Sequence, residues 1–599
     1  MKTLIQIAGL TFILIIRISL LSGVEVSSGH SESMKQEAPS IANRNAGFDE
    51  DFANWISTIN NPHDVSGLNA SVINDSGNFI LHMELPGSDE HGYLNNFWTG
   101  MYQEIAGDDT LFRSKSYVVY SDKVSDFAYG ATASSPDGTS IYSPVIPGYH
   151  PLVDIKKVYP GDLFTPSMGI AEYPSLTTGH KIVDAVYKCA LDNLYRCQSG
   201  EFLRYPEKGE TAGMWQAGFR RGEGYGVWNR DVVYISMLMG SFYDPKTART
   251  SLSYISSKGI DNGEDGLALP AVGVWDYYVV TGDVSLIKET YADLKKRIEQ
   301  IEFNEKNGLG EAIQSSFLDT DEARQKEING GYALSTQIIY AEAYRSMAEM
   351  GAMMRENPAL IDKWRKRSKV IKKNVHKKFW NPSVGYYTEG RKGTLGYEKG
   401  YWENFGQSLA VWPRWGIAKT DRTLSVFKNN KMAFNEYGYC ERHYVPPETY
   451  LGRDVWVHTE TGLAIAAARH HKTDDLNTIF FSVVRDAAMN KTFMECINWD
   501  TGKGWRYPGQ LWHSMGFISM VYYGMLGMEY DLNGISFKAP YVPEALKDLH
   551  IKNFKYRDAV LEIKIDGWGS LKKLLLDGKP VSRIDVNLSG RHVVTLKKN

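Results

Sequence analysis

The sequence predicts a mainly helical protein, a double-layered ring of six α-hairpins or (α/α)6 toroid, flanked by an N-terminal β-rich domain and a small C-terminal β-sandwich-like domain. Three observations carry that expectation. Hydrophobic spacing follows the helical period from about residue 178 to 530. Connections within that span alternate between short ones, such as YDPKT and TGDV, and long ones rich in Gly, Trp and acidic residues, as at 302–331 and 380–401. From about residue 533 the pattern alternates instead, in LEIKI and HVVTL, with DG and SG turns that describe a small antiparallel sheet.

In chain order, residues 1–23 (MKTLIQIAGLTFILIIRISLLSG) resemble a secretory signal, with Lys2 ahead of an apolar run that Arg17 interrupts. The run from Leu4 to Ile16 is too short for a bilayer, which takes about 20 apolar residues. The expected location is therefore periplasmic or secreted from a bacterium, with no membrane contact after signal cleavage. A polar linker follows at 24–50, then the β-rich domain at 51–170 with strand-like runs such as SYVVYS. Helices are predicted near 178–197, 229–241, 244–258, 265–281, 284–301, 332–355, 358–379, 402–412, 420–430, 454–470, 473–488 and 510–527. They make up a ring domain at 171–532, and 533–599 forms the C-terminal β domain.

Composition narrows the function. The formal net charge is −3 and no long Lys/Arg run occurs, which argues against a nucleic-acid partner. Of 15 Trp, 12 fall between Trp215 and Trp512. Aromatic faces stack on the C–H faces of sugars, so this density fits a carbohydrate site, and it fits an aromatic core equally well. Cys189, Cys197, Cys440 and Cys496 lack metal-ligand spacing, and either disulfides or buried thiols are compatible with them. No metal or cofactor is expected, and the chain leaves the oligomeric state open.

Residues 223–238, EGYGVWNRDVVYISML, place Trp228, Arg230 and Asp231 at the mouth of an otherwise apolar helix. Charges at such a junction either cap the helix or bind something polar.

Beside this segment stand EDGLALPAVGVWDYYVVTGD, GYWENFGQSLAVWPRWGIA, RDVWVHTETGLAIAAAR and FMECINWDTGKGWRYPGQLWHSMGF. Their order and spacing resemble the six-hairpin glycosidases over roughly 178–590. The similarity is to the debranching-enzyme, processing α-glucosidase and trehalase side, and more distantly to α-L-rhamnosidases. It implies two catalytic carboxyl groups, held about 6.5–9.5 Å apart in inverting enzymes to admit a water. The acid is expected where the fourth helix begins, some sixteen residues before a TGD turn, which lands on Asp265 with Glu264 as its competitor. The family's aromatic residue just beyond is replaced by Leu269–Pro270, and a helix cap is the alternative role for Asp265. An apolar or negatively charged surrounding, with Leu267, Leu269 and Trp275 near in sequence, is expected to keep the acid protonated.

Glu495 is the candidate base, within a pattern like the family's E-x-x-N…TG…Q-x-W-S, carried here by Asn498, Thr501–Gly502, Gln510, Trp512 and Ser514. Asn498 and Gln510 are the expected donors to its carboxylate. The resemblance further implies a sugar-binding cup of Trp228, Arg230, Asp231, Trp275, Trp402, Glu403, Trp456, His458 and Trp512. Glu403 is equally readable as a helix-start charge, and His458 as an ordinary core histidine.

The expected function is an exo-acting, inverting hydrolase of a terminal α-linked sugar on an oligo- or polysaccharide, an α-glucoside first and an α-L-rhamnoside second. A polysaccharide lyase on the same ring, recruiting Tyr225, His443 and Arg453, is one rival, and an inactive sugar binder is another.

Overall fold

The structure is a computed structural model. It describes residues 168–200, 203–220, 223–258, 263–312, 332–388, 402, 404–430, 433–435, 438–440, 454–498, 504–538, 541–567 and 569–598, together with short strands between 55 and 142. The proposed signal segment and linker lie outside the described residues, as do Glu403, His443 and Arg453. In the N-terminal region the strands pair as 55–59 with 99–103, 69–75 with 78–84, and 133–134 with 141–142.

The described chain is mainly helical, with sheets. Its twelve helices of seven residues or longer are α1 (Lys181–Arg196), α2 (Asn229–Ile235), α3 (Pro245–Ser257), α4 (Leu269–Thr281), α5 (Ser285–Glu299), α6 (Leu334–Met353), α7 (Pro358–Lys378), α8 (Asn404–Val411), α9 (Thr420–Lys428), α10 (Val457–Arg469), α11 (Thr473–Asn490) and α12 (Leu511–Ser519). Their starts follow local chemistry. Asp244 and Asn357 each cap a helix that opens on Pro, accepting from Thr247 N and Ala359 N at 3.0 Å. Gly282 at φ 78 ends α4 in the left-handed conformation that a residue with a Cβ resists.

Burial separates the helices into two groups. In α6, 16 of 20 residues are buried, whereas α7, with its KWRKRSKVIKK texture, buries 5 of 21. A helix buried all round has neighbours on every side, and an amphipathic one faces water. The even-numbered helices pack in succession, α2 on α4, α4 on α6, α6 on α8, α8 on α10, α10 on α12, and α12 back on α2. The odd-numbered helices lie against them, for example α7 on α6, α11 on α10, and α1 on α12. Where α8 meets α10 the approach is very close: a Cβ on Gly462 would stand 2.3 Å from the Ser408 carbonyl oxygen.

Two expected helices stop short. The helix expected to run to 241 leaves regular geometry in a π-turn at Ser236–Gly240, where Met239 has φ 87. Gly240 is pressed so close to Ile235 and Trp215 that a Cβ would lie 2.5 Å from the Ile235 carbonyl oxygen. The helix expected to run to 527 likewise gives way to a π-turn, Met520–Met525.

The C-terminal region also differs from expectation. Its sheet is mixed, because Ala559–Asp566 pairs in parallel with Gly590–Lys598. The latter strand, HVVTL at its heart with Val594 and Leu596 fully buried, inserts between Ala559–Asp566 and Gly569–Leu576. The Asp566–Gly567 turn therefore does not close a hairpin, while Asp577–Gly578 does, both residues at positive φ as a type I′ turn requires. Ser175–Thr177, ahead of α1, adds a further strand by pairing with His550–Tyr556. The sheet is thus completed from the segment assigned by sequence to the ring. Cys189, Cys197 and Cys496 are buried free thiols.

Candidate active site

Several buried helices begin with a residue singled out from the sequence. Trp228 immediately precedes α2, Trp456 precedes α10, Gln510 precedes α12, and Trp402 lies two residues before α8. Asp265 sits on a single 3-10 turn, Glu264–Leu267, just ahead of α4. Contacts tie these starts together. Phe405 of α8 lies 5.5 Å from the His458 ring of α10 and 5.6 Å from the Trp512 ring of α12. Tyr340 of α6 donates to the Glu264 carbonyl oxygen at 3.1 Å. The result is a concentration of helix N-termini, whose unpaired N–H groups carry partial positive charge.

Neither Asp231 nor Asp265 is a plain cap. The residue at the cap of α2 is Trp228, with no side-chain cap bond, and Asp231 lies within the first turn. Asp265 instead receives both arms of Arg230, Nη2 to Oδ1 at 2.9 Å and Nε to Oδ2 at 3.1 Å, with its side chain fully buried. The expected apolar or negative surrounding for Asp265 is corrected by this guanidinium. Adjacent packing of α2 and α4 puts Arg230 opposite the turn that carries Asp265, although the two are 35 positions apart.

Glu495 occupies strand β1 (Met494–Asn498), which pairs with β2 (Gly504–Pro508). The ladder slips at this point: Cys496 faces Trp505 and Met494 faces Pro508, so Arg506 and Tyr507 stand opposite the single residue Glu495. This is a β-bulge, and Arg506 takes its left-handed position at φ 65. The bulge delivers donors. Arg506 Nη1 lies 3.1 Å from Glu495 Oε1, and Tyr225 Oη donates to the same oxygen at 2.7 Å. Tyr225 stacks flat on Tyr507, centroids 4.1 Å apart, and Arg204 donates to Tyr507 Oη at 2.8 Å. Burial, then the Glu495 charge, pushes the Tyr225 hydroxyl well above its ordinary pKa, which keeps it a donor. Asn498 and Gln510 are the donors expected from sequence; Tyr225 and Arg506, not assigned to that role, are the groups found at Oε1. Gln510 caps α12 by accepting from Trp512 N at 3.3 Å.

Aromatic rings complete the centre. Tyr234, Trp512 and His458 form a continuous stack with spacings of 4.3 and 4.2 Å, and Trp456 lies 5.5 Å from His458. Trp228 donates through Nε1 to the Tyr225 carbonyl oxygen at 2.8 Å and meets its ring edge-on. The charge of Arg230 bears on His458, and that of Asp231 on Tyr225. A chain of neighbours therefore joins Trp228, Arg230, Asp231, Asp265, Trp456, His458, Glu495 and Trp512.

Two expected cup residues are held differently, one just before the start of α8 and one along α4. Trp402 is buried edge-on against Tyr386, its Nε1 donating to Asn404 Oδ1 at 2.7 Å. Trp275 is halfway along α4 and lines a separate cavity of about 690 Å³ with Asp276, Arg414, Arg469, Tyr523 and Tyr530. Arg414, Arg469, Tyr523 and Tyr530 follow or end α8, α10 and α12, so this cavity lies toward the helix C-termini, away from Asp265. The difference is one of reach: six residues of α4 carry Trp275 about 9 Å along the axis beyond the helix start. Sequence reasoning also missed Arg506, Tyr234 and the role of Tyr225 beside Glu495. Tyr225 lies within the GYGVWNRD segment itself, but nothing local marks Arg506, whose relevance depends on the bulge.

Residues 267–395 match the family model described as the bacterial α-L-rhamnosidase six-hairpin glycosidase domain. The described fold is similar to that of a solved sialidase, with a TM-score of 0.52 and 13% identity, covering 71% of this chain and 41% of that one. A rhamnosidase from Bacillus sp. GL1 matches with a TM-score of 0.49 and 11% identity over 71% of this chain and 44% of the other. A bacterial glucoamylase complexed with acarbose matches at 0.43 and 13%, over 58% and 56%. This chain thus spans less than half the length of the first two. No curated protein matches. Within this chain, the segment 267–395 is therefore similar to a six-hairpin glycosidase domain.

Proposed function

We propose that this chain is an exo-acting, inverting glycoside hydrolase that removes a terminal α-linked sugar from an oligo- or polysaccharide. We take its helices to close as an (α/α)6 toroid with the active site at the mouth where the even-numbered helices begin. The cyclic packing of those six helices supports the toroid. The observation that carries the chemistry is Glu495, a carboxylate held by Tyr225 and Arg506 on a bulge beside stacked aromatic rings.

In this reading Glu495 takes a proton from water as the water oxygen bonds to the anomeric carbon. As the glycosidic C–O bond breaks, a carboxylic acid gives its proton to the departing oxygen. Asp265 is the acid first assigned. Its pairing with Arg230 favours a second reading, in which Asp231 is the acid and the Arg230–Asp265 pair is a fixed scaffold. Under either reading Trp228, Trp456, His458 and Trp512 form the sugar cup, with Glu403 as a further hydroxyl ligand.

The family description supports an α-L-rhamnoside as the sugar, ahead of the α-glucoside favoured from sequence. A lyase with Tyr225 as base is disfavoured, because that hydroxyl already donates to Glu495.

The test is a panel of α-linked oligosaccharides and aryl α-glycosides, rhamnosides and glucosides first, with product anomers followed by proton NMR. Inverted monosaccharide supports the reading; an unsaturated uronate with ultraviolet absorbance, retained configuration, or no product refutes it. Comparing Asp265→Asn with Asp231→Asn on aryl glycosides identifies the acid, since good leaving groups need no protonation and spare the acid variant alone.

A further inference from the structure

We infer that Arg506, set by the left-handed bulge of β2, is a positioning residue that together with Tyr225 holds Glu495 ionised and directs its reactive oxygen. Its catalytic meaning rests on the hydrolase reading above, but the electrostatic statement does not.

Both donors converge on Oε1, at 2.7 and 3.1 Å. A proton accepted from water therefore arrives on Oε2. Glu495 is only 3% exposed, so its ionised form needs compensation that solvent does not supply. Hydrogen bonds to the charged form, and an opposite charge in contact, both favour ionisation. Arg506 supplies the opposite charge and Tyr225 the hydrogen bond.

The backbone is committed to this arrangement. A non-glycine residue at φ 65 is unfavourable, and it persists where surroundings over-determine it. Here the extra residue of the bulge brings Arg506 to Glu495 and, at the next position, sets Tyr507 flat against Tyr225. One irregularity thus positions both donors. Tyr507 is held in turn by Arg204, whose Nη1 also reaches the Tyr225 carbonyl oxygen at 3.4 Å.

Other ionisable groups described near Glu495 are acidic or neutral. Asp231 on α2 acts on Tyr225, and Asp454, on the neighbouring strand, acts with Glu495 on the Cys496 thiol. Both are acidic, and among the described residues Arg506 is a cation within ion-pair distance of Glu495. The imidazole of His513, bonded to the Met494 carbonyl oxygen, is kept neutral by burial.

The experiment titrates Glu495 directly, by carbon-13 NMR of side-chain-labelled glutamate in the full chain, with Glu495→Gln to assign the resonance. In Arg506→Gln the Glu495 titration should rise by about one pH unit or more, and in Tyr225→Phe by less, as expected for losing a contact charge against a neutral donor. Arg506→Lys should restore part of the shift, which loss of structure would not. Unchanged titration in both folded variants overturns the inference, as does a fall. Where sugar release is measurable, the acid limb of kcat/KM should move with the titration while the plateau changes less. A titration that shifts in a protein cleaving none of the glycosides refutes the hydrolase reading and leaves the electrostatic role standing.

Discussion

His458 Nδ1 and His513 Nε2 lie 2.7 Å apart, and the other nitrogen of His513 is 2.9 Å from the Met494 carbonyl oxygen. A carbonyl only accepts, so His513 carries its hydrogen on Nδ1 and presents a bare Nε2 to the Nδ1–H of His458. This one bond orders the tautomers of both rings and connects the aromatic stack to the strand that carries Glu495. The pair is built to be neutral. Burial pushes His513 down to about 3; burial first, then the charges of His513 and Arg230, pushes His458 well below its ordinary value.

Stability should follow from those shifts. Below the ordinary histidine value of 6.5, the unfolded chain binds protons that the native pair refuses. The contribution is therefore complete at neutral pH and is lost progressively as pH falls from about 6.5 toward 3. Urea midpoints measured across that window should drop with acidity, and the drop should be shallower in His513→Gln. An identical pH dependence in wild type and variant would falsify the assignment.

Removing one partner of the Arg230–Asp265 pair leaves a buried charge uncompensated. Arg230→Met should destabilise by about 3–5 kcal/mol, the usual cost of breaking a buried ion pair from one side. Replacing both, as Arg230→Met with Asp265→Leu, should cost less than the single change, since no orphaned charge remains. Chemical denaturation of the three proteins decides this. A double variant worse than the single one would mean the pair is not the main source of the cost.

Glu495→Gln keeps the shape of the side chain and its place on the bulge but removes the base. Turnover should fall by at least about a hundredfold, the lower end of acid–base contributions. The thermal transition should stay close to that of wild type, because glutamine still accepts from Tyr225 and Arg506 through its amide oxygen. Full activity in this variant reopens the choice of base.

Trp275 lies in the cavity at the far ends of the helices, near Asp276, which accepts from Tyr530 Oη at 2.7 Å and pairs with Arg414. Trp275→Ala should therefore destabilise the fold by about 3–5 kcal/mol, as large-to-small core changes do, while leaving KM for the sugar unchanged. A several-fold rise in KM with unaltered stability would return Trp275 to the sugar cup.

The twelve helices were legible because burial on all sides and amphipathic burial leave different periodicities, as α4 and α7 illustrate. Glu495 and the Trp228–Asp231 segment were legible because their motifs are continuous in sequence. Arg506 was not, because a bulge depends on which residues the partner strand offers, and Glu495 is eleven positions away. The placement of Trp275 failed for the opposite reason: it is near Asp265 in sequence, but a helix separates them along its axis.

The sequence by itself determined the helical period, the change to strands at the C-terminal end, and the candidate carboxylates, since each is a property of consecutive residues. Tertiary structure alone decided what those carboxylates touch. Arg230 meets Asp265 because α2 packs on α4, and Tyr225 meets Glu495 across 270 positions. It also inserted Gly590–Lys598 between two strands that adjoin in sequence and broke α2 where Gly240 crowds Ile235. The physical reason is common to all four. Long-range packing chooses among local options of similar energy, and the winning one buries apolar surface while giving each charge a partner.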